Sequence, residues 1–170
     1  MLPKSYIIWK WTVYGLGTLA LFALQYLILN HIELWGVRPF LYPMLPAVLS
    51  SYEGLRRGSV FSLVLGAVCD MLLVGPFDGF FTLVFTLIGI ASALISENLL
   101  PRSGLCSLTV SAMAMALTGL GRIVVQVLSG GGYLGLMARI AMAETLLSLP
   151  ALAAIVPLYR LIHRRCASDY

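Results

Sequence analysis

Charge is scarce in this sequence: Asp, Glu, Lys and Arg make up 11% of its 170 residues, against about 25% in soluble domains. Histidine is rarer still, confined to His31 and His163. The cysteines, Cys69, Cys106 and Cys166, are odd in number, far apart and form no C-x-x-C pair. Neither a disulfide framework nor a zinc site is indicated, and all three read as apolar fillers. These absences exclude an ordinary soluble catalytic domain, a nucleic-acid module and a receptor ectodomain. The two histidines fall at opposite faces of the predicted bundle, and spacing assembles neither a carboxylate pair nor a nucleophile with a nearby base. No enzymatic activity, cofactor or metal is therefore expected.

What the chain has in abundance is apolar character, with 60% hydrophobic residues. A membrane-spanning helix takes about 20 residues. Six would use about 120 and leave about 50 for tails and connections, so a single transmembrane domain over residues 1–170 is expected. Breaks at Gly, Pro and charged residues place the helices near 7–29, 37–52, 58–75, 80–98, 104–128 and 133–158. The class is an all-α integral membrane protein. A transmembrane barrel would need alternating apolar and polar residues, whereas Ile88 to Ile95 and Leu108 to Leu120 are apolar or small all round. Lys4 and Lys10 before an apolar stretch resemble a signal peptide, but that character runs to Leu29 without a small-residue cleavage pattern, predicting a retained first span. The second span carries Arg38, Pro39, Pro43 and Pro46. Each proline removes a backbone donor and crowds the preceding turn, so a kink shielded by neighbouring helices is expected.

An even number of spans puts both termini on one side. Lys4, Lys10, Arg56, Arg57, Arg102, Arg160, Arg164 and Arg165 fall there, against Arg38 alone opposite, which predicts a cytoplasmic location for both ends. Trp9, Trp11 and Tyr14 at the inner end and Trp35 with Tyr42 at the outer end fit interfacial belts. The Arg160 to Arg165 cluster reads as a topology anchor able to meet anionic headgroups.

Four ionisable residues remain inside the spans: Asp70, Arg122, Arg139 and Glu144. Each costs about 2.5–3.5 kcal/mol at a helix centre and should face the bundle and pair. At 1.5 Å rise per residue, Asp70, Arg122 and Arg139 share a level about 8–9 Å below the outer helix ends, with Glu144 roughly 8 Å deeper than Arg139. Asp70 is expected to pair with Arg122, Arg139 or both, and Glu144 to face another helix or a watered cavity.

Small residues supply the packing pattern. Ser62, Gly66 and Asp70 recur at intervals of four on the third helix, and Gly89, Ala93 and Glu97 on the fourth, with Ala112 and Ala116 on the fifth. Such stripes let membrane helices approach closely. The Gly75-Pro76-Phe77-Asp78-Gly79 turn is too short for anything but an antiparallel hairpin. Gly130 to Gly132 is no phosphate loop, since no strand precedes it and no Lys or Ser/Thr follows at the required spacing.

The stretch Gly66-Ala67-Val68-Cys69-Asp70-Met71-Leu72-Leu73, followed by Gly75-Pro76-Phe77-Asp78-Gly79-Phe80, resembles the most recognisable segment of the bacterial rod shape-determining membrane protein MreD family. Overall size, six spans with short tails and the Pro39-Phe40-Leu41-Tyr42-Pro43 segment add to the resemblance. It implies a non-enzymatic subunit of the cell-elongation machinery for peptidoglycan synthesis. The implied partners are the single-span protein MreC, the filament protein MreB, and the glycosyltransferase RodA with its transpeptidase.

MreD proteins are also similar in fold to the S components of energy-coupling-factor vitamin transporters, which makes a solute-capturing subunit the competing expectation. Gly15, Gly17, Ala20 and Ala23 on the first helix would then meet a coupling protein. The outer loops carry only His31, Glu33, Arg38 and Asp78 as ionisable groups, a poor set for a polar vitamin. On the scaffold reading, partners meet a surface irregularity made by Pro39, Pro43 and Pro46, while Arg56, Arg57 and Arg102 are inner-face contacts for membrane lipid or a cytoplasmic partner.

Overall fold

The computed structural model describes residues 4–27, 31, 39–98, 104–130, 134–148, 150, 155–157 and 159–161. Among these the long elements are all helices: α1 (Lys4–Leu27), α2 (Met44–Glu53), α3 (Leu55–Leu72), α4 (Phe80–Asn98), α5 (Gly104–Leu128) and α6 (Leu134–Ser148). The protein is all-α. Among the described residues two helices, Phe80–Asn98 and Leu105–Leu128, are long and apolar enough to cross a membrane. Both coincide with expected spans, because each is a long and mostly apolar run.

The second helix differs from expectation. It begins at Met44 rather than near residue 37, so Pro39 and Pro43 precede it and Pro46 lies in its first turn. Pro43 precedes the helix with φ −67°. Pro46 is the third helical residue, where a backbone N–H would have no intrahelical acceptor in any case. Pro39, Pro43 and Pro46 are all buried, so they form no surface irregularity for a partner. The third helix starts at Leu55, before the arginines taken as its boundary, because Gly54 at φ +79° turns the chain directly out of α2. The described part of α6 runs from Leu134 to Ser148, and residues 155–157 and 159–161 toward the expected end near 158 are helical as well.

Short as it is, α2 is the centre of the fold. Nine of its ten residues, Met44 to Tyr52, are buried, and it packs against α3, α4 and α5. The non-helical backbone leading into it is satisfied by side chains from two other helices. Gln25 of α1 donates its amide N–H to Pro39 O at 2.7 Å and accepts the Leu41 N–H at 3.1 Å. Ser148 Oγ of α6 accepts the Phe40 N–H at 2.9 Å. Irregular backbone within an apolar bundle is tolerable only when its polar groups are partnered in this way.

Glycine and serine set how closely α2, α3 and α4 approach. A Cβ on Gly58 would lie 2.6 Å from the Ser50 Cα, and one on Gly66 would lie 2.6 Å from the Thr82 Cα. A Cβ on Gly89 would run into the Ser62 side chain. Ser50 and Ser62 hydroxyls meet at 3.1 Å, and Ser62 also donates to Gly58 O at 2.8 Å. Ser62, Gly66, Gly89 and Ala93 are all buried. Aromatic rings fill the opposite end of the bundle, where Phe22 and Tyr42 centroids stand 4.5 Å apart and Phe40 and Tyr42 5.3 Å.

Candidate functional site

The α3–α4 hairpin is built by an exchange of caps. Both helices follow a glycine with positive φ, Gly54 at +79° and Gly79 at +87°. Their carbonyls accept the first helical bonds, from Gly58 and Leu83. A glycine has no side chain with which to satisfy the free N–H groups at a helix start. The neighbouring helix provides the acceptor instead. Asp70, near the end of α3, accepts the Phe81 N–H at 2.9 Å and the Thr82 N–H at 2.8 Å, together with the Thr82 hydroxyl at 2.5 Å. Glu97, near the end of α4, accepts the Leu55 N–H at 3.1 Å. A carboxylate in this position is favoured by its hydrogen bonds and by the positive end of the helix dipole.

This arrangement corrects the expected pairing of Asp70. Among the described residues, Asp70 forms no ion pair with Arg122 or Arg139. The unsatisfied N–H groups at the start of α4 lie within its reach and bind it on the α4 side. Arg122 instead reaches Glu144 of α6, Nη1 to Oε2, at 3.0 Å. Its guanidinium also stands 4.5 Å from the centre of the Phe40 ring. The depth arithmetic set these two residues apart, but the long arginine side chain spans the difference. Arg139 is exposed on α6 and forms no ion pair among the described residues.

A further buried charge escaped the sequence reading. Glu53, at the end of α2, has a side chain only 2% exposed and binds Lys10 Nζ at 2.7 Å. Tyr14 donates its hydroxyl to the same carboxylate at 2.8 Å, and Arg57 lies 3.9 Å away. The Tyr14 ring is 5.9 Å from that of Tyr159, whose hydroxyl meets Thr18 at 3.1 Å. The signal was available in the sequence, since Glu53 ends an apolar run, but a charge near a span boundary reads as solvated. Gln25 was missed for a related reason: an uncharged amide does not stand out when only charges are counted.

Several recesses open from this framework. A cleft of about 670 Å³ is lined by Leu19, Phe22, Gln25, Phe40, Tyr42 and Glu144, among others. A groove of about 530 Å³ between α5 and α6 has Met115, Gly119, Ile123, Ala141 and Met142 on its walls. A third recess, between α1 and α3, carries the exposed Arg56 and Arg57. Arg102 lies outside the described residues. Among the described residues, no three His, Cys, Asp or Glu side chains converge in a geometry that could hold a metal ion. Compared with protein-family models, with curated proteins and with solved structures, the chain finds no match.

Proposed function

We propose that this chain is a six-span membrane scaffold, similar to the MreD family, with both ends in the cytoplasm. It would hold a single-span MreC-like partner within the cell-elongation machinery, alongside MreB and RodA with its transpeptidase. The observation that carries this reading is the closed α3–α4 hairpin. The segment from Gly66 to Phe80, on which the resemblance rests, spends its one membrane-depth acid, Asp70, on hydrogen bonds that lock two helices together. Such a residue serves architecture rather than turnover. A rigid bundle of this kind acts by presenting a fixed lateral surface, and in lipid that surface is recognised through close packing and a few polar contacts.

The competing solute carrier is favoured by one feature, the cleft of about 670 Å³ bordered by Gln25 and Glu144. Affinity capture of the tagged chain from its own membrane, followed by mass spectrometry, separates the two. Wall-synthesis subunits in stoichiometric amounts support the scaffold. A coupling protein with ATPases, or a vitamin recovered at one per chain, would overturn it.

A further inference from the structure

We propose that the recess between α1 and α3 binds an anionic phospholipid, with its phosphate held by Arg56 and Arg57 and one acyl chain lying along Val60 and Val64. The recess measures about 530 Å³ and is lined by Trp11, Arg56, Arg57, Val60, Phe61 and Val64. Its lining divides into a charged end and an apolar end. Arg56, Val60 and Val64 recur at intervals of four and share one helical stripe, and Phe61 follows Arg57 by the same step. Both arginines sit in the first turn of α3, so the apolar floor reaches about 12 Å along the helix from the charge. Val60 and Val64 are 60% and 53% exposed, leaving that floor open. The Trp11 and Phe61 rings, 6.3 Å apart, close the side toward α1.

The positive charge at the mouth is not used up among the described residues. Glu53 is held by Lys10 at 2.7 Å, and its contact with Arg57 is long, at 3.9 Å. Glu97, the other acid near this end, accepts the Leu55 N–H. Arg56 forms no ion pair among the described residues. Guanidinium groups match phosphate oxygens through paired N–H donors. A small anion would satisfy the arginines and leave the apolar floor bare, whereas a neutral acyl chain would do the reverse. An anionic phospholipid satisfies both. The inference rests on the membrane-spanning reading, which puts these arginines at the cytoplasmic headgroup level.

The test is native mass spectrometry of the full chain in a neutral detergent, titrated with phosphatidylglycerol and with phosphatidylcholine. One phosphatidylglycerol should bind about tenfold or more tightly than phosphatidylcholine, given about 1 kcal/mol per basic residue at a membrane surface. R56Q/R57Q should abolish that preference, and Val64→Trp, which fills the floor, should weaken it. R160Q should leave it intact. R56K/R57K, which keeps the charge, should retain part of the preference if the glutamine variant fails to fold. Equal binding of the two lipids, or an R56Q/R57Q variant that keeps its preference, would overturn the site. So would glycerol phosphate or an acidic peptide competing as well as the intact lipid. Captured wall-synthesis partners alongside a lost lipid preference would overturn this site alone, and the reverse pattern would overturn the scaffold alone.

Discussion

Asp70 and Glu97 perform the same task for each other's helix. Asp70, close to the end of α3, caps the start of α4, and Glu97, close to the end of α4, caps the start of α3. The hairpin is thereby fastened at both ends by carboxylates meeting backbone N–H groups that follow a glycine. The two ends are not equal, because Asp70 is half-buried with three donors whereas Glu97 is exposed with one. Asp70 therefore carries more of the stabilisation.

Asp70→Ala should destabilise the protein by about 1–3 kcal/mol, since it strands N–H groups away from water. Asp70→Asn, which keeps one carbonyl acceptor, should cost less, and Glu97→Gln less again. Thermal unfolding in detergent checks the order. If Asp70 acts only as a fastener, partner capture by Asp70→Asn falls in step with its unfolding midpoint. Lost capture from a fully stable variant would show a direct contact.

Glycine positions should separate into two groups. Gly66→Ala places a methyl group against the Thr82 backbone and Gly89→Ala places one against Ser62. Overpacking of this kind costs about 1–3 kcal/mol. Gly15→Ala, which meets nothing within 4 Å, should be tolerated. Adding Ser62→Gly to Gly89→Ala should recover part of the loss, measured by the same unfolding midpoints.

A double-mutant cycle on Arg122 and Glu144 should reveal a coupling energy of about 1–2 kcal/mol, the size of a polar contact between helices within a membrane bundle. The same cycle on Arg122 and Asp70 should be additive. Arg139→Gln should leave the unfolding midpoint near the wild-type value, as its side chain is exposed.

Glu53→Gln should be more destabilising than any other single charge removal outside the hairpin. It leaves Lys10, whose side chain is only 14% exposed, without its carboxylate, and removing one member of a buried pair strands the other. Tyr14→Phe should cost about 1 kcal/mol for its hydrogen bond to the same group.

Some of this architecture was legible in the sequence and some was not, for identifiable reasons. Helices α4 and α5 were readable because each is a long apolar run bounded by glycine, proline or charge. The stripe Gly89, Ala93, Glu97 was visible as a period of four. The start of α2 was not legible, because a proline near a helix start and a proline inside a helix look alike until the first hydrogen-bonded turn is located. Asp70 announced itself as a costly charge needing a partner. Its partner could not be read, because a backbone N–H after a glycine leaves no side-chain mark. Counting charges alone also hid Gln25, whose amide holds the backbone ahead of α2.

The proposed six-span bundle has the α3–α4 turn outside and both ends in the cytoplasm. Single-cysteine labelling tests it most directly, in a background carrying Cys69→Ser, Cys106→Ser and Cys166→Ser. A membrane-impermeant maleimide applied to intact spheroplasts should label Asp78→Cys in the outer turn. Asn98→Cys and Ser168→Cys should react only after permeabilisation. Labelling of all three before permeabilisation, or of Asn98→Cys with Asp78→Cys protected, would contradict the account.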